Sequence, residues 1–388
     1  MIHYDFPIIR TIDDVLPHIE NRPEFGINRN PDYTVIQYNV NMFDTFAWDP
    51  QQPLTSAMRR ECRGLIFESD GMQRIIRRPF HKFKNVNEDQ YHQTQNIDLF
   101  SQQHWIREKM DGSMIAPFVI PGSDTVIYGT KRGNTDIGRN AARYANNELS
   151  QEFHNWVKCI IRDGYTPIFE WCSPDNRIVV EYSKPQLILL AVRHRTTGEY
   201  ITDLDSLNFP GTIVSEMPGM MDNATQLVNQ CKTLEHAEGY VLTFNDGHMV
   251  KFKGEWYLGI HGFKEMVNST RAIMKLFYDN KLDDGIGVLP ENDREIIQQK
   301  VKKFIDVEHH VAAVLEHHMD KIHSVYGDDR KRIALEYMPN LDKTTVSLLF
   351  QALGSGVPVN ECLNARIKQC TERTNKVFDE FVDWMKYV

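Results

Sequence analysis

Residues 238–253 read Glu238-Gly239-Tyr240-Val241-Leu242-Thr243-Phe244-Asn245-Asp246-Gly247-His248-Met249-Val250-Lys251-Phe252-Lys253. Two apolar runs flank Asn245-Asp246-Gly247, and Asp-Gly between such runs signals a hairpin because the tight turn needs a residue that tolerates positive φ. The runs Gly239–Phe244 and His248–Lys253 are therefore expected to pair antiparallel. Side chains alternate along a strand, so Lys251 and Lys253 share one face. Working upstream, short β-rich runs recur between turn signals: Tyr33–Val40, Gly64–Glu68, Arg74–Arg78, Trp105–Lys109, Thr125–Thr130, Pro167–Trp171, Arg177–Tyr182 and Gln186–Val192. Helical pieces at Ile137–Arg162 and Ala224–Leu234 interrupt them without regular crossover spacing. That pattern predicts an α+β domain built on antiparallel sheet.

After residue 258 the texture changes. Apolar spacing at i, i+3, i+4 predicts helices over Phe263–Asn280, Glu291–Val325, Asp328–Tyr337, Lys343–Leu353 and Val359–Tyr387. Glycine and proline at Gly285, Gly287, Pro290 and Gly354–Pro358 punctuate them. The expected organisation is an antiparallel-sheet domain over 1–258 and an all-helical domain over 259–388.

Composition narrows the class. The 388 residues include 44 Lys and Arg against 53 Asp and Glu, a formal charge of −9 that argues at first against a polyanionic partner. The charge is uneven, however. Residues 201–250 hold one basic residue, Lys232, and seven acids, whereas Arg74–Lys84 carries Arg74, Arg77, Arg78, Lys82 and Lys84 with no acid. The second stretch reads as a local basic stripe, so salt-dependent nucleic-acid binding is expected from a footprint rather than from the whole surface. No run of about 18 apolar residues is present, so no membrane partner is expected. The start Met1-Ile2-His3-Tyr4-Asp5 lacks a basic and then apolar leader. The six cysteines, Cys62, Cys159, Cys172, Cys231, Cys362 and Cys370, lack CxxC spacing. Reduced thiols in a cytoplasmic chain follow as the expectation.

Phosphate loops of the GxxxxGK[ST] and GxGxxG types are absent. His309, His310, His317, His318 and His323 invite a metal reading, but Val311, Val314 and Leu315 between them read as a packing stripe. The informative segment is Glu108-Lys109-Met110-Asp111-Gly112-Ser113, where a lysine ends a β-rich run and meets a turn. A lysine nucleophile must lose a proton that it normally holds to about pH 10.4, and desolvation or neighbouring cations make that possible. Arg63, Lys82, Lys84, Lys131, Lys251 and Lys253 are candidate neighbours. Downstream, Phe169-Glu170-Trp171 sets a carboxylate in an apolar strand, and Glu238-Gly239 sets another at a strand start.

The order KxDG, strand Glu, EGxV, KxK resembles that of the covalent nucleotidyltransferases: DNA ligases, RNA ligases and mRNA capping enzymes. Further segments sharpen the likeness: Glu61-Cys62-Arg63-Gly64-Leu65-Ile66-Phe67-Glu68, Arg78-Pro79-Phe80-His81-Lys82-Phe83-Lys84-Asn85, Pro174–Val179, Leu187–Arg193 and Thr197–Ile201. With these, the chain resembles the ATP-dependent phage RNA ligase 1 family, of the tRNA-repair type, over about residues 33–258. Two positions depart from the family pattern. Lys84 stands where an aromatic follows Lys-Phe, and Arg132 interrupts the Lys-Gly step after Lys131.

The resemblance implies three steps. Lys109 attacks the α-phosphorus of ATP to give lysyl-AMP, AMP passes to a 5′-phosphate RNA end, and a 3′-hydroxyl displaces AMP. It also implies the roles: Lys251 and Lys253 at the α-phosphate, Arg63 and Lys82 toward the leaving pyrophosphate, and Lys131 as a further phosphate contact. Asp111, Gly112 and Gly239 are expected at the nucleotide, the two glycines allowing close backbone approach. Glu170 and Glu238 divide metal and ribose contacts between them, the metal being Mg2+ with Mn2+ as alternative. The implied partner is RNA with 5′-phosphate and 3′-hydroxyl ends, such as cleaved tRNA, bound by a monomer whose helical domain recognises the tRNA body. Two alternatives remain: a DNA ligase or GTP-using capping enzyme, disfavoured by a helical tail where an OB-fold is usual, and a catalytically dead RNA-end-binding protein.

Overall fold

The computed structural model describes residues 1–372 apart from 42–43, 220, 268, 279–281, 283–285, 287–288 and 290, and apart from the side chains of 265–267, 291–292 and 370–372. The chain divides into two compact units, Met1–Leu258 and Gly259–Val388.

The first unit contains three sheets. One is an antiparallel meander of β1 (Phe25–Arg29), β2 (Tyr33–Tyr38), β3 (Arg63–Glu68) and β4 (Ile75–Arg77). Helix α1 (Pro53–Glu61) lies between β2 and β3, with proline at its first position where no amide partner is needed. A second sheet has the order β5 (Lys84–Asn85), β14 (Met249–Lys253), β13 (Gly239–Phe244), β6 (His104–Glu108). The third has β11 (Tyr200–Ile201), β10 (Gln186–His194), β9 (Tyr165–Cys172), β7 (Ser113–Val119) and β8 (Val126–Gly129), with β12 (Thr212–Ile213) parallel to β10. Consecutive strands β6 and β7 thus lie in different sheets, joined only by Lys109–Gly112. The hairpin read from Asn245-Asp246-Gly247 is present, pairing Val241 with Lys251 and Gly239 with Lys253. Its inward side chains Leu242, Phe244, Val250 and Phe252 are buried with Ile106 and Leu227, which leaves the lysine positions on the other face.

Several expectations need correction. The single helix expected over Ile137–Arg162 is two, α2 (Asp136–Glu148) and α3 (Gln151–Arg162). Leu149 is extended, and the Ser150 hydroxyl accepts from the Phe153 amide to start the second helix. Arg177–Tyr182 is not a strand. The Asp111 carboxylate accepts from the amides of Val179 and Val180, both at 2.7 Å, diverting donors that a ladder would need. The sequence reading also missed β1, β7 and α1. Strand β7 hides behind Pro117, and α1 buries Arg60 and Glu61, which composition assigns to solvent.

Those buried charges organise the unit. Glu61, Arg78 and Arg193 are fully buried, and Glu61 accepts from Arg78 Nε at 3.0 Å and from Arg193 Nη1 and Nη2 at 2.7 and 2.8 Å. Remaining guanidinium donors reach the carbonyls of Thr196 (2.9 Å), Pro7 (2.9 Å), Gly198 (2.8 Å) and Pro79 (2.7 Å). Arg77, also buried, donates to the carbonyls of Gly64, Ala116 and Thr130. The stretch Arg74–Lys84 is consequently not a surface stripe. Only Arg74 is well exposed, paired with Glu68, and Lys84 bonds Glu88 at 2.8 Å.

The second unit is helical. After α4 (Ala224–Lys232) of the first unit, helix α5 (Glu255–Val267) spans the division, followed by α6 (Thr270–Tyr278), α7 (Glu291–Val325), α8 (Lys343–Ser355) and α9 (Val359–Glu372). The helix expected over Phe263–Asn280 is therefore two, and Ser269 Oγ accepts from the Ala272 amide at the new start. Within the helix expected over Asp328–Tyr337, a short α-helical turn (Arg330–Arg332) runs into a wider π-helical one (Ile333–Tyr337). The expected continuation from 373 to Tyr387 lies outside the described residues. Phe304, Val307, Leu315 and Ile322 of α7 are buried with Ile333, Leu348 and Ile367. His318 belongs to this packing, with Nδ1 2.7 Å from the Tyr337 hydroxyl.

Replacing Glu61 with Gln leaves two buried guanidinium groups facing a neutral amide. The expected cost is about 3–5 kcal/mol in urea denaturation, the usual price of orphaning a buried charge. A loss below about 1 kcal/mol would show that the cluster is hydrated and unimportant for stability.

Candidate active site

Lys109 closes β6 at the point where the chain leaves one sheet for another. Its amide donates to the Gly239 carbonyl at 2.8 Å, which fixes its backbone to β13. Its ammonium donates to Glu238 Oε2 at 2.7 Å, and Lys253 lies 2.9 Å from Glu238 Oε1. One buried carboxylate therefore holds two lysines, one from each side.

Around this pair all three sheets and their flanking turns supply cations. Burial lowers the Lys251 ammonium well below the usual lysine value, helped by Lys82, Arg63 and Lys109. Burial, and then Arg63, push Lys82 down to about 8 against the opposing pull of Glu88. Lys131 is lowered mainly by burial and donates to the Tyr38 carbonyl at 3.1 Å. The sequence-predicted cations Arg63, Lys82, Lys109, Lys131, Lys251 and Lys253 are thus assembled in one place, as their mutual electrostatic influence requires.

Aromatic rings that sequence reasoning overlooked lie beneath these ammonium groups. Lys131 sits 3.8 Å from the centre of Tyr38, with Lys82 5.2 Å from the same ring. Lys251 lies 5.4 Å from Phe83, and Lys253 5.0 Å from Tyr257. Ring faces partly replace lost hydration for a crowded cation. Tyr257 had a usable signal, four residues after Lys253 at the start of a helix. Tyr38 had none beyond its place in an apolar run.

Glu170 enters from β9, pairing across to Met114. Its Oε1 accepts from the Gly112 amide at 3.1 Å. Burial pushes its carboxyl up to about 7; Lys109 and Arg63 oppose this and Glu238 reinforces it. A buried carboxyl whose bare charge is this costly suits a hard dication, which can take the proton's place and prefers oxygen donors. Glu238 suits it less in this state, since both its oxygens are in ion pairs.

Three expected nucleotide contacts have structural partners. Asp111 accepts from Val179, Val180 and the Tyr257 hydroxyl, the last at 2.8 Å, so its carboxylate fixes the 173–182 loop and α5. A Cβ on Gly112 would stand 2.3 Å from the Trp171 carbonyl oxygen. One on Gly239, at φ +142°, would stand 2.0 Å from that of Phe252. The close approach that demands glycine is thus to neighbouring strands.

Comparison with known proteins places the chain in a family. Residues 61–257, just over half of the chain, match the family described as RNA ligase. A protein of Thermovibrio ammonificans, provisionally named an RNA ligase, is 27% identical over 330 residues, covering 82% of this chain and 81% of its own. RNA ligase 1 of Bacteriophage TS2126 is 26% identical over 240 residues, 59% of this chain and 58% of that protein. Among solved structures, an archaeal ATP-dependent RNA ligase is similar with a TM-score of 0.42 and 14% identity over 72% of each chain, too distant to align single residues. Among the described residues no helix is long and apolar enough to cross a membrane.

The raised Glu170 carboxyl has a stability consequence. Its folded value, about 7, lies above the ordinary 4.5, so the folded state binds the extra proton and loses stability as pH rises between those values. With chelator present, Glu170→Gln should be roughly neutral near pH 4.5 and stabilising by up to about 3 kcal/mol at pH 8. Urea denaturation at both pH values is the check, and an unchanged difference would show that Glu170 titrates normally.

Proposed function

The chain belongs to the phage-type RNA ligase family, and from that premise we propose an ATP-dependent ligase that works through a covalent intermediate on Lys109. The observation that carries the reading is the Lys109–Glu238–Lys253 bridge inside a cluster of further cations. Lys109 attacks the α-phosphorus: an N–P bond forms, the bond to the bridging oxygen breaks, and pyrophosphate leaves with the electron pair. The attacking species is the neutral amine, its proton passing to water. Lys251 and Lys253 face the α-phosphoryl oxygens, while Arg63, Lys82 and Lys131 face the leaving pyrophosphate. Positioning and charge stabilisation provide most of the catalysis in such transfers.

In the second step an oxygen of the RNA 5′-phosphate attacks the adenylate phosphorus, and the N–P bond breaks to return the lysine. In the third, a 3′-hydroxyl attacks the 5′-phosphate phosphorus and AMP departs. Glu170 would hold Mg2+ or Mn2+, which supplies charge neutralisation for the polyphosphate when bound. Glu238 orients Lys109, and Asp111 with Tyr257 fixes the turn that carries it. The substrate proposed is cleaved tRNA with 5′-phosphate and 3′-hydroxyl ends, with the helical unit of a monomer recognising the tRNA body.

Incubation with α-labelled ATP should yield a covalent adduct that Lys109→Ala abolishes, and Lys82→Ala should slow its formation by about a hundredfold. An undiminished adduct in Lys109→Ala would remove the nucleophile assignment, and GTP in parallel tests the nucleotide. For the RNA, truncation after Val267 keeps α5 intact. It is expected to weaken sealing of a nicked anticodon stem-loop about tenfold or more while leaving the adduct within about threefold, since it removes binding contacts only. Equal loss of both would reject the tRNA role.

A further inference from the structure

Arg77 is fully buried, and among the described residues none of its hydrogen bonds goes to a carboxylate. Burial pushes its guanidinium down to about 9. An unpaired buried charge is costly, and an apolar side chain would pack more cheaply there. What arginine adds is a planar fork that donates in several directions at once. Nε and Nη2 reach the Gly64 carbonyl at 3.1 and 2.8 Å, Nη2 also reaches Thr130 O at 2.9 Å, and Nη1 reaches Ala116 O at 3.2 Å. The carbonyls belong to β3, to the turn after β8 and to β7, so one side chain from β4 ties the first sheet to the third.

Two glycines make room for it. A Cβ at Gly129 would stand 2.4 Å from Arg77 Nη1, and one at Gly64 would stand 3.0 Å from Nη2 and 2.8 Å from the Lys131 carbonyl oxygen. The main chain at Gly64 and at Lys131 is therefore in contact across the two sheets. Gly64 follows Arg63 and Thr130 precedes Lys131, so both gripped carbonyls adjoin a residue assigned above to the leaving pyrophosphate. Those two cations repel each other, Arg63 being among the charges that lower Lys131. Some force must hold their backbones together before any anion arrives.

We propose that Arg77 is a positioning residue for ATP: its fork sets the spacing of Arg63 and Lys131 across two sheets, so that the pair takes the leaving polyphosphate. The inference rests on the function proposed above and deepens it. It assigns Arg77 to the first chemical step alone, since sealing of RNA that already carries AMP involves no pyrophosphate.

The test separates these steps in the full chain. Arg77→Lys keeps the charge and loses the fork. Gly129→Ala keeps the arginine and pushes Nη1 from its place. Each variant is assayed for self-adenylylation with α-labelled ATP, for sealing of pre-adenylated RNA, and for its melting temperature. Both should raise the ATP concentration for half-maximal adduct formation by about ten- to hundredfold, the scale of a misplacement near 1 Å. Sealing of pre-adenylated RNA should stay within about threefold. Equal loss in both assays, loss in neither, or failure of both variants to fold would each overturn the proposal and leave Arg77 a packing residue. Absence of an adduct in the unsubstituted chain would instead overturn the proposed function.

Discussion

A single carboxylate, Glu61, lies between the guanidinium groups of Arg78 and Arg193 with none of the three exposed. The cluster carries one excess positive charge and is tolerable only because backbone carbonyls take up the remaining donors. Those carbonyls come from the N-terminal segment, from Pro79 and from the loop after β10, so distant parts of the first unit share one polar anchor. Glu61 lies two residues before Arg63, and Arg78 four before Lys82. The placement of two site cations thus follows from where this buried charge balances.

Like charges then converge in the site itself. Lys82 and Lys251 are both held below the usual lysine range, by burial first and by a neighbouring cation second, Arg63 for Lys82 and Lys82 for Lys251. Such crowding is unfavourable in the free protein and is relieved when a polyanion enters. Strain of this kind stores affinity for phosphate without a basic surface, which is how a chain with net charge −9 can still serve RNA. The Glu238 bridge acts in the same sense, one carboxylate holding two ammonium groups in register.

Much of this was legible in the sequence, and for definite reasons. The Asp246-Gly247 turn and the alternation of Val250, Lys251, Phe252 and Lys253 reveal strand pairing and facing together, because period-two patterning encodes both. The helical tail is legible from its spacing, although Leu149-Ser150 and Ser269 show how a serine cap divides a run that periodicity reads as continuous. The structural partners of Asp111, Gly112 and Gly239 lie 13 to 146 positions away, so only the fold reveals them. The stripe at 74–84 misled for a related reason. Charge type is visible in sequence, but whether Arg77 and Arg78 face solvent or carbonyl oxygens is not.

The hairpin has one more consequence. Lys253 stands opposite Gly239, next to Glu238, because the turn at 245–247 has the length it has. Adding one residue between that turn and Lys251 would shift the parity of β14, sending Val250 and Phe252 to the phosphate side and both lysines into the core. The site is in this sense counted out along the chain. A length change outside the catalytic motifs could silence the enzyme while every motif residue remained intact.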